Sequence, residues 1–545
     1  MKTIFLDGKK PQDIIKAGEI LAGGGLVAIP TETVYGLAAD ALNPEAVKKI
    51  FAAKGRPGDN PLIIHIADLS QWEPLVQSIP NSAKKLAEAF WPGPLTIILP
   101  KAGEVPLETS GGLDTVGVRF PAHPAAQAVI AAAGRPLAAP SANPSGRPSP
   151  TAFAHVKSDL TGRVDALLDG GDCGVGVEST VITLATPVPR VLRPGGVTVE
   201  QLRAVLGEVE VDPAVAAPLK DGERVTSPGM KYRHYAPKAA VTLIDASPED
   251  YSNYVNSKSG YRALCFSEDT ELLKIEYLSY GNRYDGTSQA RDLFGVLYQL
   301  DEAGDAPILA HLPARRGVGL AVYNRLLRAA GFSVVNPTGR CVIGLTGPSG
   351  AGKSTVGEAL KNRGWAVIDC DKITRSPAVY DADCIARLQG AFGKEVAPGG
   401  VLDRRVLAEK AFITAESKQK LEKIVFPNIM KAVRAAMAEA FAAGHKIVVL
   451  DAPTLFEAGL DSACGRIITV TAPEDVRLRR IINRDGITEE QARVRLTAQP
   501  GDEFYVNRSD YVLENGQKPG LFAWAEQIVE PVVEEIEREL RERSL

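Results

Sequence analysis

Residues 347–354 read GPSGAGKS, which fits the spacing G-x-x-x-x-G-K-[ST]. The apolar run CVIGLT (341–346) precedes it and STVGEALKNRG (354–364) follows, so a buried strand enters a glycine loop that opens into an amphipathic helix. That order predicts an α/β nucleotide-binding domain. Gly347, Gly350, Ala351 and Gly352 carry no bulk that would stop backbone N–H groups from turning inward around phosphate oxygens. The helix start at Ser354 and Thr355 adds positive potential. Lys353 is placed to reach the β- and γ-phosphates, and the Ser354 hydroxyl to ligate Mg²⁺. The competing reading, a glycine-rich turn that holds no nucleotide, leaves the lysine unexplained.

Outward from the loop, AVIDCD (366–371) ends in Asp369 and Asp371. Ligands of open α/β sheets sit beyond the carboxyl ends of the strands, so this pair is expected to face the site. A carboxylate there accepts the proton of an attacking hydroxyl; the alternative is a cap for the next helix. KIVVLDAP (446–453) puts Asp451 where a second strand-end acid belongs. After RIITVTA (466–472) comes PEDVRLRRIINRDGITEEQARVRLTAQ (473–499), dense in arginine and read as a helical lid that neutralises a transferring phosphoryl group.

IGLTGPSGAGKSTV, VIDCDKITR, FG…GGVLDRRVL, VLDAPTLFEAGL and SDYVLENG, in this order, resemble dephospho-CoA kinase over about 341–545. The resemblance implies ATP-dependent phosphorylation of the ribose 3′-hydroxyl of dephospho-CoA, with a parallel sheet and helical lid. It makes Asp371 the catalytic base, and Arg484, with Arg479 beside it, the lid arginine. Two departures bear on acceptor fit: Phe426-Pro427 stands for the family's His-Pro, and PTLFE, with Thr454, for P-L-L-F-E.

At 545 residues the chain is too long for one core, and three or four domains are expected. Apolar residues at 45% and charged residues at 23% are those of a globular protein, and a formal charge of −4 gives no global drive onto nucleic acid. Six scattered cysteines without a C-x-x-C pair fit neither a disulfide framework nor structural zinc. The opening MKTIFLDGKKP lacks a signal peptide's apolar stretch and no apolar run is of membrane-spanning length, so the expected compartment is the cytoplasm.

Residues 1–206 alternate short apolar strands, such as LVAIP (26–30), PLIIHI (61–66) and PLTIILP (94–100), with helices such as EAVKKIFAAKG (45–55), as an α/β domain does. Residues 207–238 lose periodicity and end in an aromatic-basic cluster that a bare spacer does not need. A small Rossmann-like α/β module is expected over 239–336, and NPTGR (336–340) is too short for a free tether before the kinase at 341.

The first domain has no phosphate loop, so its chemistry rests on scattered polar groups. IPTETVYGLAAD (29–40) is read as a strand-to-helix turn presenting Thr31, Thr33 and Tyr35; AAKGRPGDNPLIIHI brings Lys54, Arg56, Asn60 and His65. GVRFP adds Arg119, SAN adds Ser141 and Asn143, and VLRPGG adds Arg193. Four cations in strand-edge loops suit an anionic ligand, a nucleoside triphosphate or an amino-acid carboxylate.

PTETVYGL, KGRP, GVRFP, SAN, ESTVI, LRPG and SPGMKYRHYAP together resemble L-threonylcarbamoyladenylate synthase, in its long form with a YrdC-like twisted α/β domain and a carboxyl-terminal module. The resemblance covers about 1–336. It implies condensation of L-threonine, bicarbonate and ATP into threonylcarbamoyl-AMP, which a threonylcarbamoyl transferase complex then places on tRNA. Thr33, His65, Arg119 and Ser179 would contact threonine. Arg56, Asn60, Thr115, Ser141, Asn143, Ser149 and Arg193 would contact the nucleotide, with Lys54 in the same basic box and Tyr232 or Tyr235 closing over it. No membrane or direct nucleic-acid contact is required. The alternative is an RNA-binding first domain fused to a nucleoside or nucleotide kinase; aromatics at 6% speak against a stacking RNA surface.

Overall fold

The computed structural model describes residues 2–58, 60–217, 235–516 and 521–544. Tyr232, one of the two expected closing tyrosines, lies outside them. Two compact units divide the chain: Met1–Ile244 with Val255–Val334, and Asp245–Tyr254 with Val335–Leu545.

The first unit carries an eleven-stranded mixed sheet. Its strands are β1 (Ile4–Asp7), β2 (Val27–Ile29), β3 (Gly36–Asp40), β4 (Ile63–His65), β5 (Leu95–Pro100), β6 (Thr115–Arg119), β7 (Leu137–Ala138), β8 (Ala166–Asp169), β9 (Thr180–Thr183), β10 (Arg190–Arg193) and β11 (Glu210–Val211). They lie in the order β1-β8-β2-β3-β7-β4-β6-β5-β9-β10-β11. The expected strands at 26–30, 61–66 and 94–100 are all present, as is the helix Pro44–Lys54. That helix opens on Asn43, whose side chain accepts the Glu45 and Ala46 amides, and stops at left-handed Gly55.

One local reading is corrected. IPTETVYGLAAD turns from strand into strand, not into helix: β2 and β3 pair antiparallel, with Val27 opposite Ala38 and Ile29 opposite Gly36. GLAAD has helix-forming alanines, but all five residues are buried between neighbours β2 and β7. Pairing on both edges overrides propensity here.

The same unit holds a second sheet formed chiefly by β12 (Val241–Ile244), β13 (Arg262–Cys265), β14 (Tyr277–Ser279) and β15 (Ile308–His311), parallel in the order β14-β13-β15-β12. The helices Gly286–Glu302 and Gly319–Ala329 pack with it; Leu293, Phe294, Leu297, Val322 and Leu326 are buried in one cluster.

Beyond β16 (Val334–Val335), the second unit is built on β17 (Cys341–Thr346), β18 (Ala366–Asp369), β19 (Ile447–Asp451), β20 (Arg466–Thr471) and β21 (Tyr511–Glu514). All are parallel, in the order β18-β19-β17-β20-β21. The helices Lys353–Asn362 and Leu521–Arg543 share an apolar core with this sheet. The arginine-rich stretch forms two helices, Glu474–Asp485 and Glu489–Thr497.

At the start of β20, Arg466 makes a two-pronged pair with Asp245, at 2.7 and 2.8 Å. Asp245 also receives Arg543 at 2.8 Å, and Glu539 joins both arginines at 3.0 and 3.5 Å. These side chains are about a tenth exposed, so a lost partner leaves charge stranded in a dry site. We expect Asp245→Ala to destabilise the second unit by about 3 kcal/mol, read as a lower denaturation midpoint by urea.

Candidate active sites

In the first unit the sheet delivers its polar groups to one cleft. Parallel pairing of β4 with β6 sets His65 directly beside Arg119 at the strand ends. The β2–β3 turn supplies the wall facing them. There the Thr31 hydroxyl donates to the Val34 carbonyl at 2.6 Å, so across the 2.8 Å Thr31–Thr33 contact Thr33 is the donor. The Thr33 oxygen in turn accepts Arg119 Nη1 at 2.9 Å. Arg119 Nη2 meets Glu32 at 2.6 Å, and Glu32 also accepts the Ala122 amide. Burial first, then the Arg119 charge, pushes the His65 imidazole down to about 3, so the ring is neutral at physiological pH.

Lys54 ends its helix with its ammonium on the carbonyls of Ser141 and Asn143, the latter at 2.6 Å. It is 4% exposed, and burial, then the Arg56 charge, holds its pKa well below the ordinary lysine value. Between Val191 and Arg193 the β9–β10 register shifts, which re-aims Arg193. Its guanidinium donates to the Ser179 carbonyl and hydroxyl at 3.1 and 3.2 Å, and Ser179 bonds Thr96 at 2.8 Å. Tyr235 sits with φ 63° and packs on Phe294 at 5.4 Å between ring centres.

Thr33, Lys54, Arg56, His65, Arg119, Ser141, Asn143, Ser179, Arg193 and Tyr235 all line this cleft. Ser149 stands behind the wall, donating to Glu178. Thr115 lies instead on a small separate cavity, and Asn60 is buried off the wall. Among the described residues Asn60 Oδ1 and Asn143 Oδ1 have no hydrogen-bond partner, and Asn143 offers that acceptor from a cleft position. Glu178, Arg147 and Glu32 went unnamed in the sequence reading. Glu178 and Glu32 fall inside the motifs ESTVI and PTETVYGL, which were the available signal.

The second site is the loop between β17 and its helix. Gly347 has φ 136°, and a Cβ there would meet the Val470 carbonyl at 2.1 Å; Gly352 has φ 100° and would meet Asn515 Nδ2 at 2.1 Å. Only glycine is compatible with both. Lys353 Nζ folds back onto the Gly347 carbonyl at 2.7 Å. Burial lowers its pKa, while Asp451 and Asp371, both close enough to act on it, work to raise it.

Asp369 and Asp451 are cross-strand neighbours at the ends of β18 and β19. Asp369 caps the helix Cys370–Thr374 by accepting the Lys372 amide at 3.0 Å, so the cap reading holds for it. Asp371, in that helix's first turn, is raised by burial and by Asp369. Burial pushes Asp451 up to about 6, against the pull of Lys353.

Arg480 donates to the carbonyls of Gly350 and Ala351, each at 3.2 Å, and to Asn515 at 3.1 Å. Asn515 donates to the Ala351 carbonyl at 2.6 Å. Arg479 points elsewhere, pairing with Asp475 at the surface. Arg484 pairs with Asp485 at 2.7 Å yet lies close enough to act on Lys353. Arg480 and Arg484 are four apart and share a helix face; Arg479 is a step of about 100° off Arg480. Phe426 and Pro427 line a further cavity of about 460 Å³ with Met430 and Gly459.

Three family models match in succession: Telomere recombination (Sua5/YciO/YrdC) over 19–195, the threonylcarbamoyl-AMP synthase C-terminal domain over 197–331, and dephospho-CoA kinase over 341–519. The threonylcarbamoyl-AMP synthase of Pyrococcus abyssi is 46% identical over 329 residues, 58% of this chain and 94% of the relative. That of Bacillus subtilis is 46% identical over 339 residues, 61% and 97%. The dephospho-CoA kinase of Corynebacterium efficiens is 37% identical over 196 residues, 36% of this chain and 98% of the relative. The crystal structure of P. abyssi Sua5 complexed with L-threonine superposes with a TM-score of 0.57 at 43% identity, covering 62% of this chain and 99% of the other. With the cleft in one unit and the phosphate loop in the other, this chain belongs to two families at once, threonylcarbamoyl-AMP synthase in its amino-terminal part and dephospho-CoA kinase in its carboxyl-terminal part.

Proposed function

We propose that the cleft joins L-threonine, bicarbonate and ATP, and that the phosphate loop serves transfer from ATP to the ribose 3′-hydroxyl of dephospho-CoA. For the cleft, the supporting observation is the convergence of ten expected residues, from strand ends, turns and a helix end, on its lining. Arg119 and Thr33 would receive the threonine carboxylate; their mutual hydrogen bond, with neutral His65 beside Arg119, supports this. The threonine amine takes up the bicarbonate carbon with loss of water; the resulting carbamate oxygen attacks the α-phosphorus, and pyrophosphate leaves. Carbamate and triphosphate repel each other, and Lys54, Arg56 and Arg193 offset that repulsion. The product anhydride is labile in water, and Tyr235 on the cleft wall helps shield it.

In the second unit Lys353 swings from the Gly347 carbonyl to the phosphates, while Asp371 takes the acceptor hydroxyl's proton as that oxygen bonds phosphorus and ADP leaves. The residues fit Mg²⁺: Ser354 lies in the first turn of the loop helix, and Asp451 is a buried carboxylate whose charge is disfavoured by burial and then by Asp369 and Asp371. Among the described residues no group of three or more Asp, Glu, His or Cys forms a metal cage, so phosphates and water would complete its shell. When bound, the ion would neutralise charge on the β- and γ-phosphates. The cavity beside Phe426 and Pro427 is assigned to the acceptor.

The proposed domains are the synthase over 1–206, its covering linker over 207–238, its module over 239–336 and the kinase over 341–545. Its threonylcarbamoyl-AMP would pass to a tRNA-modifying transferase complex in the cytoplasm; among the described residues no helix is long and apolar enough to cross a membrane.

One purified protein tests both readings. Lys353→Ala should lower CoA formation by at least about a hundredfold and leave threonine- and bicarbonate-dependent pyrophosphate release intact; loss of both activities would refute separate sites. The kinase also carries a pH signature. A carboxyl raised to about 6 is protonated first as pH falls, so kinase activity at limiting Mg²⁺ should drop below about pH 6. Asp451→Asn should remove that acidic limb along with most of the metal dependence.

A further inference from the structure

The helix Gly319–Ala329 of the small module ends in a polar triplet, Asn324, Arg325 and Arg328, although almost every residue of the helix is buried. Arg325 is fully buried, the largest such side chain among the described residues. Its guanidinium leaves the module: Nε donates to Glu178 Oε2 at 2.8 Å, Nη1 to the Pro194 carbonyl at 2.8 Å, and Nη2 to the Glu178 carbonyl at 3.4 Å. Glu178 Oε1 accepts the Ser149 hydroxyl. Asn324 and Arg328 hold the same helix to the Val215 and Ala214 carbonyls, at 2.7 and 2.8 Å.

The geometry has a consequence for the cleft. Glu178 and Pro194 flank the β9–β10 hairpin, one residue before Ser179 and one after Arg193. One planar fork therefore ties both ends of the hairpin whose two polar side chains line the cleft. Glu178 is on the cleft wall and Arg325 is not. A simple buried ion pair holding module to domain would not need to grip two cleft loops at once.

We propose that Arg325 is a positioning residue for the synthase reaction, supplied by the module, which holds Glu178 and through it Ser149 and Arg193 in register for the nucleotide. The proposal rests on the synthase reading of the cleft. Burial works to raise the Glu178 carboxyl, but Arg325, Arg193 and the Ser149 hydroxyl outweigh it and keep the value below the ordinary one; Tyr235 also faces it. Without the Arg325 charge, burial makes Glu178 protonate at higher pH.

The test is steady-state pyrophosphate release by the full chain, with ATP and threonine varied in turn between pH 6 and 9. Arg325→Met should raise the KM for ATP about tenfold, with an acidic fall in kcat/KM for ATP absent from the wild type. Threonine binding measured without ATP should stay within about threefold, since Arg119, Thr33 and Glu32 form a separate network. Arg325→Lys keeps the charge but cannot hold Glu178 and Pro194 together, so it should recover the wild-type pH profile and keep a raised ATP KM. A pH-independent loss shared equally by ATP and threonine parameters overturns the proposal, leaving a purely structural pair. If Arg325→Met fails to fold, an unchanged ATP KM in Arg325→Lys overturns it and a raised one supports it. A wild-type chain without threonine-dependent pyrophosphate release overturns the synthase reading, and this role with it; wild-type turnover with unaltered variants overturns this role alone.

Discussion

Positive charge has to be carried into dry protein for either reaction to proceed, and that constraint shapes both units. ATP is polyanionic, so each site needs cations close at hand, yet a buried cation without a partner costs several kcal/mol. The first unit meets this with dedicated carboxylates and carbonyls: Glu32 for Arg119, Glu178 for Arg325, and two backbone oxygens for Lys54. The second relies on the loop itself. Lys353 rests on a carbonyl of its own loop, and Asp451 at a strand end and Asp371 in the first turn of the next helix favour its charged form.

The two solutions differ in how local they are. A phosphate loop gathers donors from eight consecutive residues, so one glycine-rich turn and a helix start create the site. The cleft collects single residues from strand ends far apart in sequence, and its precision depends on pairing register. His65 meets Arg119 because β4 and β6 are parallel and adjacent; Arg193 meets Ser179 because a register shift turns its side chain. Burial also explains why Glu178, a charged residue 6% exposed, needs partners from two distant segments: Ser149 donates to one carboxylate oxygen and Arg325 to the other.

Legibility followed that difference. The phosphate loop, its strand, its helix and the acids Asp371 and Asp451 could be read because each signal is short and periodic. Of the two expected lid arginines, Arg484 lies close enough to act on Lys353 while Arg479 pairs at the surface; Arg480 was passed over, because composition shows only an arginine-rich helix and the helix's rotation decides which side chain meets the loop. GLAAD read as helical because alanine favours helix, while the structure buries it between two strands. Thr115 had the right motif and lies on a different cavity.

By itself the sequence determined the α/β class, the order of the two enzymes and the phosphate loop, because those rest on contiguous patterns of apolar period, glycine spacing and motif order. Only tertiary structure decided which cations are paired and by what. The Arg325–Glu178 bond spans 147 residues, and neither residue's neighbours in sequence announce the other. The grouping of Asp245–Tyr254 with the second unit was equally out of reach, since a charge pair such as Asp245–Arg466 has no periodicity. Contacts of that kind are set by where the packed chain leaves charge no water to face, and local propensity carries no record of that.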